Sequence, residues 1–225
     1  KSSGMMLTCR KDMGVNSTDD LKGKTLGVWF YGNEYPFLSW MSRLGLATDG
    51  SADGVTVLKQ GWGVEPLTEG QAACVSTMSY NEYWVVRDAG YSPEQLTVFK
   101  YQSEGAATLE DGLYVHEKNL SDAAFKDKMV RFVRASMKGW KYAEANPKEA
   151  AMIILDNDDA GVQTEKHQVR MMGEIAKLTA GSNGSLDPAD YERTVKVLMS
   201  GDSDPVITKK PSGAWTNEIT NAALN

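Results

Sequence analysis

The 225 residues contain only two cysteines and two histidines. Cys9 and Cys74 cannot form a disulfide framework. Two buried thiols are the expectation, with a single bridge in an oxidising compartment as the alternative. His116 and His167 lie far apart, with no Cys or acid at ligand spacing, so no metal is expected and both are assigned to surface or supporting positions. No apolar run approaches the roughly 20 residues that cross a bilayer. Lys and Arg total 24 against 30 Asp and Glu, a net charge of −6. With the basic residues scattered along helices, that balance argues against nucleic acid as a partner. A Gly-x-Ser-x-Gly elbow, a phosphate loop and a dinucleotide fingerprint are all missing, so no cofactor is expected. The chain opens at Lys1 without a signal peptide, which fits a processed form or a fragment.

What is present is more telling. Leu21–Phe30 reads as a buried strand, and Tyr31–Gly32–Asn33–Glu34–Tyr35 turns it directly into an amphipathic helix. Gly32 permits the tight turn. Asn33 is expected to cap the helix by accepting an orphan N–H, and Glu34 suits a first turn. Ala72–Ser79 reads as a second strand, followed by Tyr80–Asn81–Glu82–Tyr83–Trp84 at the start of another helix. In open α/β sheets, ligands bind beyond the carboxyl ends of strands. Two strand ends, each with an Asn-Glu-Tyr triplet, predict one polar cleft with aromatic walls.

Along the chain, strands are predicted at Gly4–Thr8, Thr25–Phe30, Val55–Lys59, Ala72–Ser79 and Leu96–Tyr101, with a last strand-like run at Leu113–His116. Helices are expected at about Tyr35–Leu44, Pro66–Ala73 and Asn81–Ala89, and Ser17 with Asp20 should cap a single turn. This alternation predicts a mostly parallel sheet covered on both faces. Beyond residue 110 the pattern is helical. Phe125, Met129, Phe132, Val133, Met137 and Trp140 share one helical face, which predicts core. Pro147–Leu155, Glu165–Leu178, Pro188–Met199 and Ala214–Leu224 complete the helices.

Gly4–Cys9, Leu21–Val28, Tyr80–Trp84 and Phe132–Trp140 stand in an order that resembles the NMT1/THI5-like solute-binding proteins of bacterial ABC importers. The resemblance covers essentially the whole chain. It implies an α/β, type II periplasmic-binding-protein-like fold of two lobes joined by hinge strands, with an N-terminal half-lobe absent from this sequence. On that basis residues 1–12 are expected to be a hinge strand and 13–109 the ligand-binding second lobe. Residues 110–225 are then the return crossover and a helical part belonging mainly to lobe one. The implied partners are a small-molecule ligand and an ABC permease in the membrane, with a periplasmic or lipid-anchored extracellular location. Self-association is an expectation if the N-terminal segment is absent. The family's fungal, enzymatic branch carries a cysteine-rich motif with histidines, and this chain has no such cluster.

The candidate ligand-binding residues are Tyr31, Gly32, Asn33, Glu34, Tyr35, Tyr80, Asn81, Glu82 and Tyr83. Importers of nitrate or sulfonates need converging donors, whereas Glu34 and Glu82 repel anions. An aminopyrimidine offers an exocyclic amine and a protonatable ring nitrogen, which a carboxylate receives as a pair of charge-assisted bonds. Tyrosine and tryptophan faces would stack on the ring. Thiamine-pyrimidine precursors are the ligand type that the resemblance implies, with a sulfonate or related small solute as the alternative. Two other function classes stay open. One is a pyrimidine-modifying enzyme using Glu34 or Glu82 as general base, and the other is a ligand-sensing domain of a larger regulator. Asp156–Gly161 looks like a calcium loop but lacks the final bidentate acid, and a solvated turn is expected there. Gly61–Trp62–Gly63 is a loop whose aromatic either reaches the cleft or covers the sheet.

Overall fold

A computed structural model describes residues 2–200 and 205–224. The chain divides into two compact units. One comprises residues 3–108 and 192–210 and is built on a sheet; the other comprises residues 1–2, 109–191 and 211–225 and is helical.

The sheet unit contains β1 (Met5–Arg10), β2 (Thr25–Val28), α1 (Glu34–Arg43), β3 (Thr56–Lys59), α2 (Glu65–Thr68), β4 (Cys74–Met78), α3 (Glu82–Asp88) and β5 (Leu96–Lys100). The strands lie in the order β3-β2-β4-β1-β5. Strand β2 pairs parallel with β3 and β4, while β1 runs antiparallel to both β4 and β5. The fold is thus a mixed α/β open sheet, with the parallel run that the alternation predicts and one reversed strand inserted into it.

Alternation along the strands sends side chains to two cores. Leu7, Cys9, Leu26, Val28, Cys74 and Phe99 pack on one face with Phe37, Trp40 and Met41 of α1. Val75 and Leu96 pack on the other with Leu67 of α2 and Val86 of α3. The buried positions of α1 follow a helical stripe, and Gly45 ends that helix in the left-handed region at φ 71°. Trp40 meets Phe99 and Tyr101 at ring-centroid distances of 5.5 and 5.7 Å. Each such buried aromatic or aliphatic side chain contributes about 1.5–3 kcal/mol by removal from water. Ser17 and Asp20 form the expected capping box over the turn Thr18–Leu21.

The cysteines overturn the expectation of free thiols. Cys9 and Cys74 face each other across the β1–β4 ladder and form a disulfide, with a Cα–Cα distance of 3.9 Å. Arg10 N–H donates to Ala73 O beside them, so the bridge occupies a non-hydrogen-bonded pair, where facing side chains approach most closely.

The helical unit contains α4 (Ala123–Ala145), α5 (Pro147–Asp156), α6 (Glu165–Thr179), α8 (Glu218–Leu224) and the first residues of α7 (Pro188–Met199), whose remainder belongs to the sheet unit. Asp122 caps α4, accepting from Ala124 and Phe125 N–H. Arg134 ties α4 to α8 by donating to Ala222 and Ala223 carbonyls. Leu113–His116 forms no strand, because among the described residues every strand belongs to the sheet unit and none in this unit offers it a ladder. Helix α8 begins at Glu218, later than the sequence predicts. The apolar stripe of α4 is not closed core either: α4 has no fully buried residue, and Phe132 and Trp140 are about half exposed. With Leu113, Val115, Met137 and Ile219 they line an open groove of about 240 Å³.

Candidate functional site

Strand β2 is continued by Trp29, Phe30 and the turn Tyr31–Gly32–Asn33; β4 is continued by Ser79–Tyr80–Asn81. Because Leu26 and Gly27 pair in parallel with Cys74 and Val75, the two strands end side by side. Topology therefore brings both Asn-Glu-Tyr elements to one edge of the sheet, the edge where α/β proteins bind ligands. Gly27 makes the close approach of the strands workable, since a Cβ there would lie 2.9 Å from Val75 and 3.3 Å from Gln60.

Each carboxylate is turned toward its own backbone. Gly32 N–H donates to Glu34 Oε2 at 2.7 Å. Met78 N–H donates to Glu82 Oε2 at 2.8 Å, and Asn81 Nδ2 donates to Glu82 Oε1 at 2.7 Å. A carboxylate has about four acceptor positions, and the bond from Gly32 N–H to Glu34 engages one of them. Asn33 is not the cap that the sequence predicts. Its backbone is already helical at φ −80° and ψ −15°, and its amide donates back to Phe30 O. Asn81 also makes no side-chain cap bond.

The aromatics divide between core and edge. Trp29 packs partly against the core and donates from Nε1 to Gly61 O. Tyr83 packs with the α2–α3 core and meets Trp84 edge-on. Tyr35 and Tyr80 are half-buried. Tyr31 is 90% exposed and holds φ 64°, a left-handed conformation that costs a residue with a Cβ about 1–2 kcal/mol. Trp62 is 96% exposed, so it does not cover the sheet.

Two residues at this edge carry no signal in the sequence alone. Lys59, the last residue of β3, donates to Tyr31 Oη at 3.1 Å and lies over the rings of Tyr31 and Phe30. Gln60 is buried, and its amide bonds to both Ser76 and Gly63 backbones. Only a knowledge of strand order places them here. Elsewhere, no three His, Cys, Asp or Glu residues come together to hold a metal among the described residues. In the Asp156–Gly161 turn, Asp158 accepts from Gln163 N–H. No helix is long and apolar enough to cross a membrane among the described residues.

An open α/β sheet with paired polar elements at the ends of its parallel strands is consistent with the periplasmic-binding-protein-like class of folds. Residues 1–150 match the family described as NMT1/THI5 like, and the chain belongs to that family. Membership supports a solute-binding role at family level. No curated protein gives a significant match.

Proposed function

We propose that the protein is the substrate-binding component of an ABC importer and captures a small nitrogen heterocycle of the thiamine-pyrimidine-precursor type. One observation carries this reading: the parallel pairing of β2 with β4 sets Glu34 and Glu82 at one sheet edge among aromatic side chains. An exocyclic ring amine and a neighbouring protonated ring nitrogen are the two donors that a carboxylate accepts as a pair. In this mechanism the chain crosses between a lobe formed by 13–109, into whose sheet strand β1 of the expected hinge segment 1–12 is inserted, and one formed mainly by 110–225. Ligand favours a closed state, and that state docks to the permease. The Cys9–Cys74 bridge supports an oxidising, extracytoplasmic location. The family supports binding without catalysis, and a product assay with an aminopyrimidine tests that half of the reading.

Calorimetric titration of the chain with aminopyrimidines and with taurine tests the ligand. Aminopyrimidine binding that weakens at least tenfold in Glu34→Gln or Glu82→Gln is the expected result. Affinity unchanged in both variants overturns the carboxylate reading. Taurine binding in place of aminopyrimidine keeps the solute-binding role and changes the ligand class.

A further inference from the structure

The charge that stands ready at the sheet edge is positive as well as negative. Lys59 Nζ lies 4.5 Å from the centroid of the Tyr31 ring and 5.5 Å from that of Phe30, and it donates to Tyr31 Oη at 3.1 Å. Both ring distances fall within the range of favourable cation–π contact. No carboxylate forms an ion pair with Lys59 among the described residues. Strand β3 is an edge strand, and a lysine there also discourages pairing with other chains. A guard of that kind needs only to reach water, whereas this ammonium also lies against two rings and a hydroxyl.

Two further features, one at Tyr31 itself and one three residues along the chain from Lys59, point to a ligand. Tyr31 is held in the left-handed region although its ring contributes almost nothing to the core. Strain of this kind in an exposed bulky residue is a feature of binding sites. Trp62 stands almost fully in solvent while the residues on either side of it are tied down. Gly61 O accepts from Trp29 Nε1, and Gly63 O accepts from Gln60 Nε2. An exposed indole on an anchored loop is a flat surface prepared in advance.

We infer that Lys59 and Tyr31 form an anion-and-ring subsite, and that the natural ligand is an amino-heterocycle carrying an acidic substituent such as a carboxylate or phosphate. This rests on the proposed solute-binding role of the edge and refines it. The heterocycle's donor face goes to the carboxylates; its acidic group goes to Lys59. Glu34 closes onto Gly32 in the same four-residue turn that Tyr31 begins, so groups of both signs flank one short segment. A ligand with both kinds of group satisfies them together, whereas a simple anion leaves the carboxylates opposed.

The test uses the full chain and two probes, 4-aminopyrimidine and 4-aminopyrimidine-5-carboxylate, titrated by calorimetry at low and high salt. The carboxylate is expected to bind at least tenfold tighter than the neutral ring, with the advantage reduced at high salt. In Lys59→Met that preference should vanish, and Lys59→Arg should restore it in part. Equal binding of both probes to the unsubstituted protein overturns the inference and leaves the solute-binding reading standing. A preference that survives Lys59→Met also overturns it. Binding of neither probe overturns the subsite and the heterocycle reading together.

Discussion

The side-chain amide of Gln60 takes both hydrogen bonds of the Ser76 backbone: Nε2 donates to Ser76 O at 3.0 Å, and Oε1 accepts from Ser76 N–H at 2.8 Å. A glutamine thus completes the sheet beyond the last paired residues of β2 and β4, and by its bond to Gly63 O it also fixes the Trp62 loop. Gln60→Leu leaves buried donors and acceptors unpaired, each costing about 1–3 kcal/mol. Chemical denaturation should show a loss of about 2–4 kcal/mol. A loss below 0.5 kcal/mol would mean that water replaces the amide without difficulty.

The Cys9–Cys74 bridge closes a loop with a sequence separation of 65 residues. In the chain-entropy account, a loop of that length is worth about 4 kcal/mol. The double variant Cys9→Ala/Cys74→Ala should therefore be less stable by up to about that amount. Alkylation in denaturant should label no thiol in the untreated protein and both after reduction. Labelling without reductant would show that the bridge is not formed.

Asp20 accepts from Asn16 N–H, Ser17 N–H and Ser17 Oγ–H at 2.8–3.0 Å. These bonds, that from Asn16 foremost, hold its carboxyl below the usual carboxylate range. A folded-state pKa below the unfolded one stabilises the fold above the unfolded value, near 4, and that stabilisation is lost as pH falls through the folded value. Asp20→Asn should consequently lower Tm at pH 7 and make progressively less difference below about pH 4. A Tm difference that stays constant down to pH 3 would remove the charge from the explanation.

Much of this arrangement is legible in the sequence because its signals are local. A strand running into Gly32, a helical stripe ending at Gly45, and the Ser17–Asp20 spacing each specify structure within a few residues. What is not legible depends on register between distant segments. Cys9 meets Cys74 only because β1 inserts antiparallel beside β4, and Lys59 meets Tyr31 only because β3 pairs with β2. The stripe from Phe125 to Trp140 shows the converse limit: periodicity identifies an apolar face but not what lies against it, and here that face lines an open groove. Asn33 has the right type for a cap, yet a backbone that is already helical aims its amide at Phe30 O.

Tyr31 offers the sharpest separation of stability from binding. Its ring is 90% exposed, so truncation removes little buried surface, while φ 64° is a conformation that glycine adopts without penalty. Relief of about 1–2 kcal/mol of backbone strain is set against the extra unfolded-state entropy of glycine, about 0.5–1 kcal/mol. Tyr31→Gly should therefore leave stability unchanged or raise it by up to about 1 kcal/mol. The same change removes the hydroxyl and one of the two rings that position Lys59. Affinity for the acidic aminopyrimidine should fall at least tenfold even as Tm holds or rises. A variant that loses stability, or one that binds as before, would show that the left-handed tyrosine is a property of the turn and not of the site.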